Sequence, residues 1–177
     1  GLKCVELLVC PPLLNETQRD ALQHDIMPRL AGAVRYEATE RVYRKVCYQD
    51  NPQAILAVFE QPIWRLDDLA RHPPAGGALW LVAAGTTKPG NLGAMARSAA
   101  AAGAAGMLIA DPVVDAFNPN AIRASTGTVF ALPIVGENTS GIVQFLRTRK
   151  ARIVAAAPHA SHLYTDTDLT GEVAMVV

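Results

Sequence analysis

The residues best suited to chemistry lie between Lys88 and Pro133, where two polar clusters interrupt a run of small and apolar residues. The first cluster, Lys-Pro-Gly-Asn at 88–91, opens the helical pattern LGAMARSAAAAGA, which carries Arg97 at its centre. A lone cation in a helix built for close packing is costly unless it reaches a cleft and meets an anion. A guanidinium can hold a phosphate through a bidentate fork or stabilise a developing alkoxide. Arg97 is therefore the first candidate, the alternative being a side chain whose head pairs with a neighbouring acid.

The other polar residues of this stretch allow two interpretations each. Asn91 follows a Pro-Gly turn, which predicts an N-cap whose side chain accepts backbone N–H bonds. Lys88 fits a phosphate contact or a solvated loop position. Gly93 gives close backbone approach or simple packing space. The second cluster, Arg-Ala-Ser-Thr-Gly at 123–127, ends in a glycine that is typical of a helix C-terminus.

The elements that must position these residues alternate between strand and helix. Strands are predicted at 5–10, 34–36, 54–59, 79–84, 106–110, 132–135, 152–157 and 173–177. Helices are predicted from Asn15 or Thr17 to Leu30, from Thr39 through TERVYRKV, and at 91–102, 118–124 and 140–150. Apolar strands separated by helices favour an α/β fold with a parallel sheet covered on both faces. The predicted domains are 1–62 and 77–177, joined by a proline- and charge-bearing linker at 63–76.

The stretch from Lys88 to Pro133 resembles the SpoU (TrmH-like) branch of the SPOUT RNA methyltransferases. The matching residues are Pro89-Gly90-Asn91-Leu92-Gly93 with Arg97 and Ser98, then Asn118-Pro119, Arg123-Ala124-Ser125, Gly127, Phe130 and Leu132-Pro133. The resemblance implies a parallel-sheet SPOUT (α/β-knot) domain over 77–177. It also implies methylation of a ribose 2′-hydroxyl in RNA, with S-adenosyl-L-methionine as cofactor.

The resemblance assigns roles residue by residue. Arg97 matches an arginine that contacts RNA phosphate and assists deprotonation of the attacking hydroxyl, and Asn91 matches an asparagine that helps to order the RNA-binding site. The resemblance therefore implies that Arg97 and Asn91 are the catalytic residues. Arg123 and Ser125 match residues beside the cleft, which implies RNA contacts. Lys88 stands where relatives often carry an acid, and we expect it to add a phosphate contact.

The resemblance also implies a cofactor-binding loop at Ala156, Ala157 and Pro158. These residues end a predicted strand at the edge where open parallel sheets bind ligands. His159 follows them and suggests a general base. Relatives do not rely on a histidine at this place, so we do not assign one.

Residues 1–62 resemble, more weakly, the ribosomal-protein-like RNA-binding domain that accompanies many SpoU enzymes. The phrase NPQAILAV at 51–58 resembles its closing strand, and its usual opening helix, expected before Leu2, is absent. RNA contacts are expected from a basic segment that holds Arg35, Arg41, Arg44 and Lys45, interleaved with Tyr36, Tyr43 and Tyr48. A solvated helix face explains the same pattern.

In the family, a strand like VAMVV leads into a Gly-x-Glu-x-x-Gly loop and a Ser-Leu-Asn segment that build the knot and most of the cofactor pocket. Neither motif follows within these 177 residues, so the C-terminal knot is expected to be missing from this chain. We therefore expect this chain by itself to be inactive and to bind S-adenosylmethionine weakly or not at all.

Composition restricts the partners. Half of the residues are hydrophobic, 18% are charged and the net charge is zero, so RNA contacts must come from local patches. The three cysteines lack metal-ligand spacing, which predicts reduced thiols and no metal. The absence of a signal pattern and of a long apolar run predicts a cytoplasmic protein with no membrane contact. The low charge and the alanine-rich helix favour a homodimer, as in SpoU relatives.

The favoured function is 2′-O-ribose methylation of ribosomal RNA. The alternatives are a tRNA 2′-O-methyltransferase and a non-catalytic RNA-binding or dimerisation module. A nucleotide-binding oxidoreductase is disfavoured, because the turn GTTKPGNLG lacks the GxGxxG arrangement of dinucleotide-binding folds.

Overall fold

The computed structural model describes residues 2–47, 51–71 and 77–177. Two compact units divide the chain, residues 1–62 and residues 63–177. Tyr48, one of the three tyrosines predicted to contact RNA, lies outside the described residues.

The first unit is built on a three-stranded sheet in the order β2-β1-β3. The central strand β1 (Cys4–Val9) pairs in parallel with β2 (Val34–Glu37) and antiparallel with β3 (Ile55–Phe59). One face of β1 is buried through Leu7 and Val9, which form a core with Leu14, Leu22 and Ala54. The strands predicted from the apolar runs at 5–10 and 54–59 are thus confirmed.

The helical segment between β1 and β2 changes from one type of helix to another along its length. Asn15 caps α1 (Glu16–Ala21) in a capping box with Gln18, as the sequence predicted. The chain then forms a π-helical turn at Leu22–Ile26 and a 3₁₀ turn at Met27–Leu30. Pro28 accounts for the change, because it donates no N–H and its ring would clash with the carbonyl group four residues earlier in a regular α-helix.

The second helix of this unit, α2 (Glu40–Val46), follows Thr39. Thr39 occupies the N-cap position, but its side chain makes no capping hydrogen bond. The position of the predicted helix is confirmed, whereas the predicted cap lacks its hydrogen bond.

The second unit contains a five-stranded sheet in the order β6-β5-β4-β8-β7, and all its strand pairs are parallel. The strands are β4 (Leu79–Ala84), β5 (Gly106–Ala110), β6 (Ile134–Glu137), β7 (Arg152–Ala155) and β8 (Val173–Val176). The predicted α/β fold with a parallel sheet is therefore confirmed. Because the strands are parallel, the loops that follow them emerge at one edge, called the carboxyl edge below.

Helices cover both faces of this sheet. They are α3 (Leu66–Arg71), α4 (Pro89–Ala101), α5 (Pro119–Ala124) and α6 (Thr139–Thr148). One core joins α3 and α6 to Trp80, Val82 and Leu108, and the other joins α4 to the opposite face through Met107 and Ile109. In the described ranges, no helix is both long and apolar enough to cross a bilayer.

The position of helix α3 shows that part of the predicted linker belongs to the second unit. Residues 63–76 were expected to connect two domains, but α3 lies within them and buries Leu69 in the core of the second unit. Prolines flank this helix in the sequence, but the charged residues Asp67, Asp68 and Arg71 that suggested a linker lie within it. Its apolar positions Leu66 and Leu69 pack onto the sheet.

A polar network ties together elements far apart in the sequence. Arg149, just after α6, forms an ion pair with Glu172, just before β8. The Trp80 Nε1–H donates to Glu172 Oε1 at 2.8 Å, and the Arg149 guanidinium lies 5.1 Å from the centre of the Trp80 ring. The side chains of Arg149 and Glu172 are only 12% and 17% exposed, so this Trp80–Arg149–Glu172 network is largely shielded from water.

Candidate active site

The helices that carry the two polar clusters, α4 and α5, approach each other closely at Gly93. A Cβ added to Gly93 on α4 would lie 2.2 Å from the carbonyl oxygen of Ala121 on α5. No side chain fits at such a distance, so the backbones approach each other here as only glycine allows. The close approach suggested for Gly93 is confirmed, and it sets Asn91 and Arg97 beside the helix that carries Arg123.

Arg97 is an exposed side chain in the middle of α4. It follows Gly93 by four residues, so it lies one turn further along the same side of the helix. In the part of the chain that the structure describes, Arg97 makes no hydrogen bond or ion pair. The alternative of a neighbouring acid as its partner therefore finds no support, and the guanidinium is available to an anion from outside.

The start of α4 differs from the sequence prediction. The helix begins at Pro89, its N-cap is Lys88, and Asn91 is its third residue. The predicted N-cap at Asn91 is wrong, because the fixed φ of a proline suits the first helical position. Asn91 is exposed, and among the described residues its side chain has no hydrogen-bond partner. Its amide group is thus available for a ligand, next to the exposed Lys88.

Helix α5 carries Arg123 in a fixed orientation. Asn118 caps the helix by accepting the N–H of Asn120 at 2.9 Å, and Arg123 Nη2 donates to Asn120 Oδ1 at 2.6 Å. Arg123 remains exposed, and a guanidinium has five N–H donors, so it can still bind an anion. Sequence analysis missed the role of Asn120, although its position three residues before Arg123 on a predicted helix was a usable signal.

Ser125 closes the turn after α5 and is not available to a ligand. Its side chain is 0% exposed, its Oγ–H donates to Ile122 O at 2.8 Å, and its Oγ accepts the Gly127 N–H at 3.2 Å. The prediction of a direct RNA contact by Ser125 is corrected accordingly. Gly127 has a φ of 87°, which confirms the glycine-closed helix end.

Thr126 lies between these two residues with a φ of 53°. A β-branched residue rarely adopts this left-handed conformation, so the turn stores backbone strain beside the candidate site. Two hydroxyl groups stabilise the turn, since Thr126 Oγ1 and Thr128 Oγ1 each donate to Ser125 O, at 2.7 and 2.8 Å. No local sequence pattern predicts this strained conformation.

The residues expected to bind the cofactor follow β7 at the carboxyl edge. Ala156, Ala157 and Pro158 are exposed, and β8 separates β7 from β4. With neighbouring strands about 4.8 Å apart, the loops after β4 and β7 start roughly 10 Å from each other. This loop and the α4–α5 junction thus belong to one edge of the sheet, at separate places along it. His159 is also exposed.

An acidic residue beside the start of α6, Asp111, is already engaged in hydrogen bonds. Asp111 follows β5 and accepts the Thr139 hydroxyl at 2.5 Å and the Thr139 N–H at 3.1 Å. These two hydrogen bonds hold the pKa of Asp111 below its usual range. Asp111 is therefore charged at neutral pH and secures α6 at the carboxyl edge. Within the described ranges, no three His, Cys, Asp or Glu side chains are grouped so that they could hold a metal ion.

The basic segment of the first unit is only partly suited to RNA. Arg41, Arg44 and Lys45 are exposed on α2, but Arg44 pairs with Glu40 at 2.7 Å. Tyr43 is 1% exposed, and its hydroxyl donates to Gln53 O at 2.5 Å. Burial raises the pKa of the Tyr43 hydroxyl, and no face of its ring is open to a base. Tyr43 is thus removed from the predicted stacking residues.

Comparison with known proteins agrees with this arrangement. Residues 78–177 match the sequence profile of the SpoU rRNA Methylase family. The 23S rRNA (uridine(2479)-2′-O)-methyltransferase of Streptomyces viridochromogenes is 37% identical over 101 residues, which are 56% of this chain and 34% of that protein. This chain thus spans about a third of that relative's length.

Two solved structures superpose on the whole chain. The crystal structure of an RNA 2′-O ribose methyltransferase matches with a TM-score of 0.79 and 34% identity, over 100% of this chain and 64% of that one. The SpoU methyltransferase AviRb of Streptomyces viridochromogenes, in complex with the cofactor AdoMet, matches with a TM-score of 0.81 and 26% identity, over 100% and 66%. Because the family profile covers more than half of the residues, this chain belongs to the SpoU rRNA methylase family.

Proposed function

We propose that the complete protein transfers a methyl group from S-adenosyl-L-methionine to a ribose 2′-hydroxyl of ribosomal RNA. The observation that carries the proposal is Arg97, an exposed guanidinium without a partner among the described residues, within the region that matches the family. The names of the relatives support the same reaction, since the one from Streptomyces viridochromogenes is a 23S rRNA 2′-O-methyltransferase.

In this proposal, Arg97 acts on the attacking group. Its guanidinium binds an RNA phosphate and stabilises the negative charge that forms on the 2′-oxygen as the hydroxyl loses its proton. When bound, S-adenosylmethionine would supply an electrophilic methyl group on a sulfonium sulfur and leave as S-adenosylhomocysteine, while the proton of the 2′-hydroxyl passes to water. Asn91 hydrogen-bonds the same RNA segment from the first turn of α4, and Lys88 and Arg123 add phosphate contacts. Ser125 contributes only by shaping the turn after Arg123.

The loop at Ala156, Ala157 and Pro158 would hold the cofactor. Its fit rests on two observations: the side chains are small and exposed, and the N–H of Ala157 has no partner among the described residues. A free backbone N–H beside small side chains suits the hydrogen-bonding edge of an adenine. The carboxyl edge of a parallel sheet is also where such folds bind nucleotides.

We further propose that the basic segment on α2 adds RNA affinity without taking part in the chemistry. Replacing Arg41, Arg44 and Lys45 together with alanine should weaken RNA binding and flatten its salt dependence, because fewer counterions are released. Arg41 and Lys45 should account for most of the change, since Arg44 is paired with Glu40. Filter binding over a range of salt concentrations measures the slope.

Arg19 on α1 is the matched control, because it is an exposed arginine of the same unit that donates to Pro11 O at 2.8 Å. The Arg19→Ala variant should keep the wild-type salt slope, and methyl transfer at saturating RNA should survive the triple replacement. A triple variant with an unchanged slope would assign the segment to the ordinary solvated surface.

We also propose that the complete protein is a homodimer. The alanine-rich α4 and the low fraction of charged residues, 18%, suit surfaces that pack closely. Light scattering at micromolar concentration should therefore give twice the mass of one chain. A monomer mass under the same conditions would contradict the proposal.

A ribosomal RNA substrate agrees with the cytoplasmic location expected from the sequence.

The test of the proposed reaction is a transfer assay with methyl-labelled S-adenosylmethionine and the complete protein. Ribosomal RNA and tRNA are offered separately, and labelled RNA is hydrolysed with alkali. A 2′-O-methyl group blocks cleavage at its own nucleotide, so the label should appear in alkali-resistant dinucleotides from ribosomal RNA. Label in tRNA alone would favour the tRNA enzyme, and RNA binding without label would favour a non-catalytic module.

A further inference from the structure

The contact between Gly93 and Ala121 is tighter than close packing requires. A Cβ on Gly93 would meet not only the carbonyl oxygen of Ala121 at 2.2 Å but also its carbonyl carbon at 2.9 Å and its Cα at 3.0 Å. All three are backbone atoms, so no rotation of a side chain can make room. A methyl group at this position must move one helix away from the other.

Such a movement of the helix would displace the side chain of Arg97. It stands one turn after Gly93 on the same side of α4, and side chains of a helix lean back toward its N-terminus. The Arg97 side chain thus leans toward the junction with α5. Nothing else restrains it, because in the described ranges its guanidinium has no partner. Its location therefore depends on where the backbone of α4 lies.

We propose that Gly93 is a positioning residue for methyl transfer: its backbone contact with Ala121 sets the distance between α4 and α5 and thereby the location of the Arg97 guanidinium. This inference rests on the proposed function and deepens it. It states that the exact position of the Arg97 guanidinium is set by Gly93, a residue without a side chain. A shift of about 1 Å in a reacting group can lower a rate by about 100-fold.

The test is a double-mutant cycle in the complete protein with Gly93→Ala and Arg97→Ala. Single-turnover methyl transfer to ribosomal RNA is measured at a temperature where thermal melting shows each variant to be folded. In the presence of Arg97, Gly93→Ala should lower the rate by about 100-fold. In the Arg97→Ala background, the same change should lower the rate by no more than about twofold, because the side chain that it displaces is already absent and the two changes are therefore strongly coupled.

The outcomes separate a positioning role from a structural one. Equal rate losses in both backgrounds would overturn the inference, because Gly93 would then act on the whole fold. A wild-type protein that does not methylate ribosomal RNA would instead overturn the proposed function. S-adenosylmethionine affinity, measured by calorimetry, should be unchanged by Gly93→Ala, since the proposed cofactor loop lies after β7.

Two further variants keep the test decisive. If Gly93→Ala does not fold, Ala121→Val adds bulk at a fully buried position of α5 whose backbone forms the same contact, and its cycle with Arg97→Ala is judged in the same way. Gly90→Ala is the matched control for stability, because a Cβ there meets nothing within 4 Å on the same helix. Gly90→Ala should leave the melting temperature equal or higher, whereas Gly93→Ala should lower it.

Discussion

Replacing Arg97 with alanine is expected to lower the single-turnover rate of methyl transfer by about two to three orders of magnitude, the typical effect of losing one preorganised donor at a developing oxyanion. The expectation follows from the environment of the side chain. A guanidinium that is exposed and, among the described residues, unpaired contributes little to folding, so its loss should act on the reaction instead. Thermal melting of the variant should match that of the wild type.

The conservative change separates charge from geometry. Arg97→Lys should restore only part of the rate, because an ammonium group cannot reproduce the planar fork that binds phosphate with two parallel hydrogen bonds. S-adenosylmethionine affinity should change little in either variant, since the proposed cofactor loop is elsewhere on the carboxyl edge.

Arg147 on α6 offers a matched control. It is also exposed and has no partner in the described part of the chain, but α6 covers the opposite face of the sheet from α4. Arg147→Ala should retain the wild-type rate. A folded Arg97→Ala variant with near-normal turnover would remove Arg97 from the proposed mechanism.

The candidate site was predictable from the sequence where a residue type conflicted with its surroundings. Arg97 was identified because a cation is out of place in a small apolar helix, and the structure leaves it exposed. Ser125 was misjudged for the converse reason. A serine in a polar cluster suggests an open cleft, and only the three-dimensional turn shows that its hydroxyl is consumed by Ile122 and Gly127.

The ends of helices and strands were predictable where a single local sequence signal determines them. The strands of the second unit were predicted from apolar runs, because strands buried on both faces carry few polar residues. The start of α4 was misplaced by two residues, because Pro89 and Asn91 both favour a helix start and the proline prevailed. The helix α3 was missed because the prolines around it and the charged residues within it are typical of a linker.

Strand order is the part of the fold that the sequence did not predict. Strand β8 lies between β4 and β7, although it is the last strand described along the chain. The hydrogen bond from Trp80 to Glu172 spans 92 residues, and no local pattern indicates such a pairing. Long-range contacts of this kind are selected by the packing of the whole sheet, so they become visible only in the structure.

The second large effect is expected at this long-range contact. Glu172→Ala should lower the free energy of unfolding by about 3–5 kcal/mol, because removing one partner of a buried ion pair leaves the other charge uncompensated. Arg149, whose side chain is 12% exposed in the wild type, would lose its carboxylate, and the Trp80 N–H would lose its acceptor. Equilibrium denaturation followed by tryptophan fluorescence measures the loss. Asp168→Ala is the control, because the Asp168–Arg152 pair is exposed and its removal should shift the unfolding midpoint far less.

The same network predicts how stability depends on pH. Burial acts to raise the pKa of Glu172, but hydrogen bonds from Arg149 and Trp80 and the Arg149 charge outweigh it, so the pKa lies below its ordinary value of 4.5. A carboxyl group whose pKa is lowered by folding stabilises the protein above its unfolded pKa and loses that contribution as the pH falls through its folded pKa. The wild type should therefore lose stability below about pH 4.5 more steeply than Glu172→Gln, which carries no titrating group at this position. Parallel pH profiles of the two proteins would contradict a stabilising charge at Glu172 and would leave its hydrogen bond to Trp80 as the main contribution.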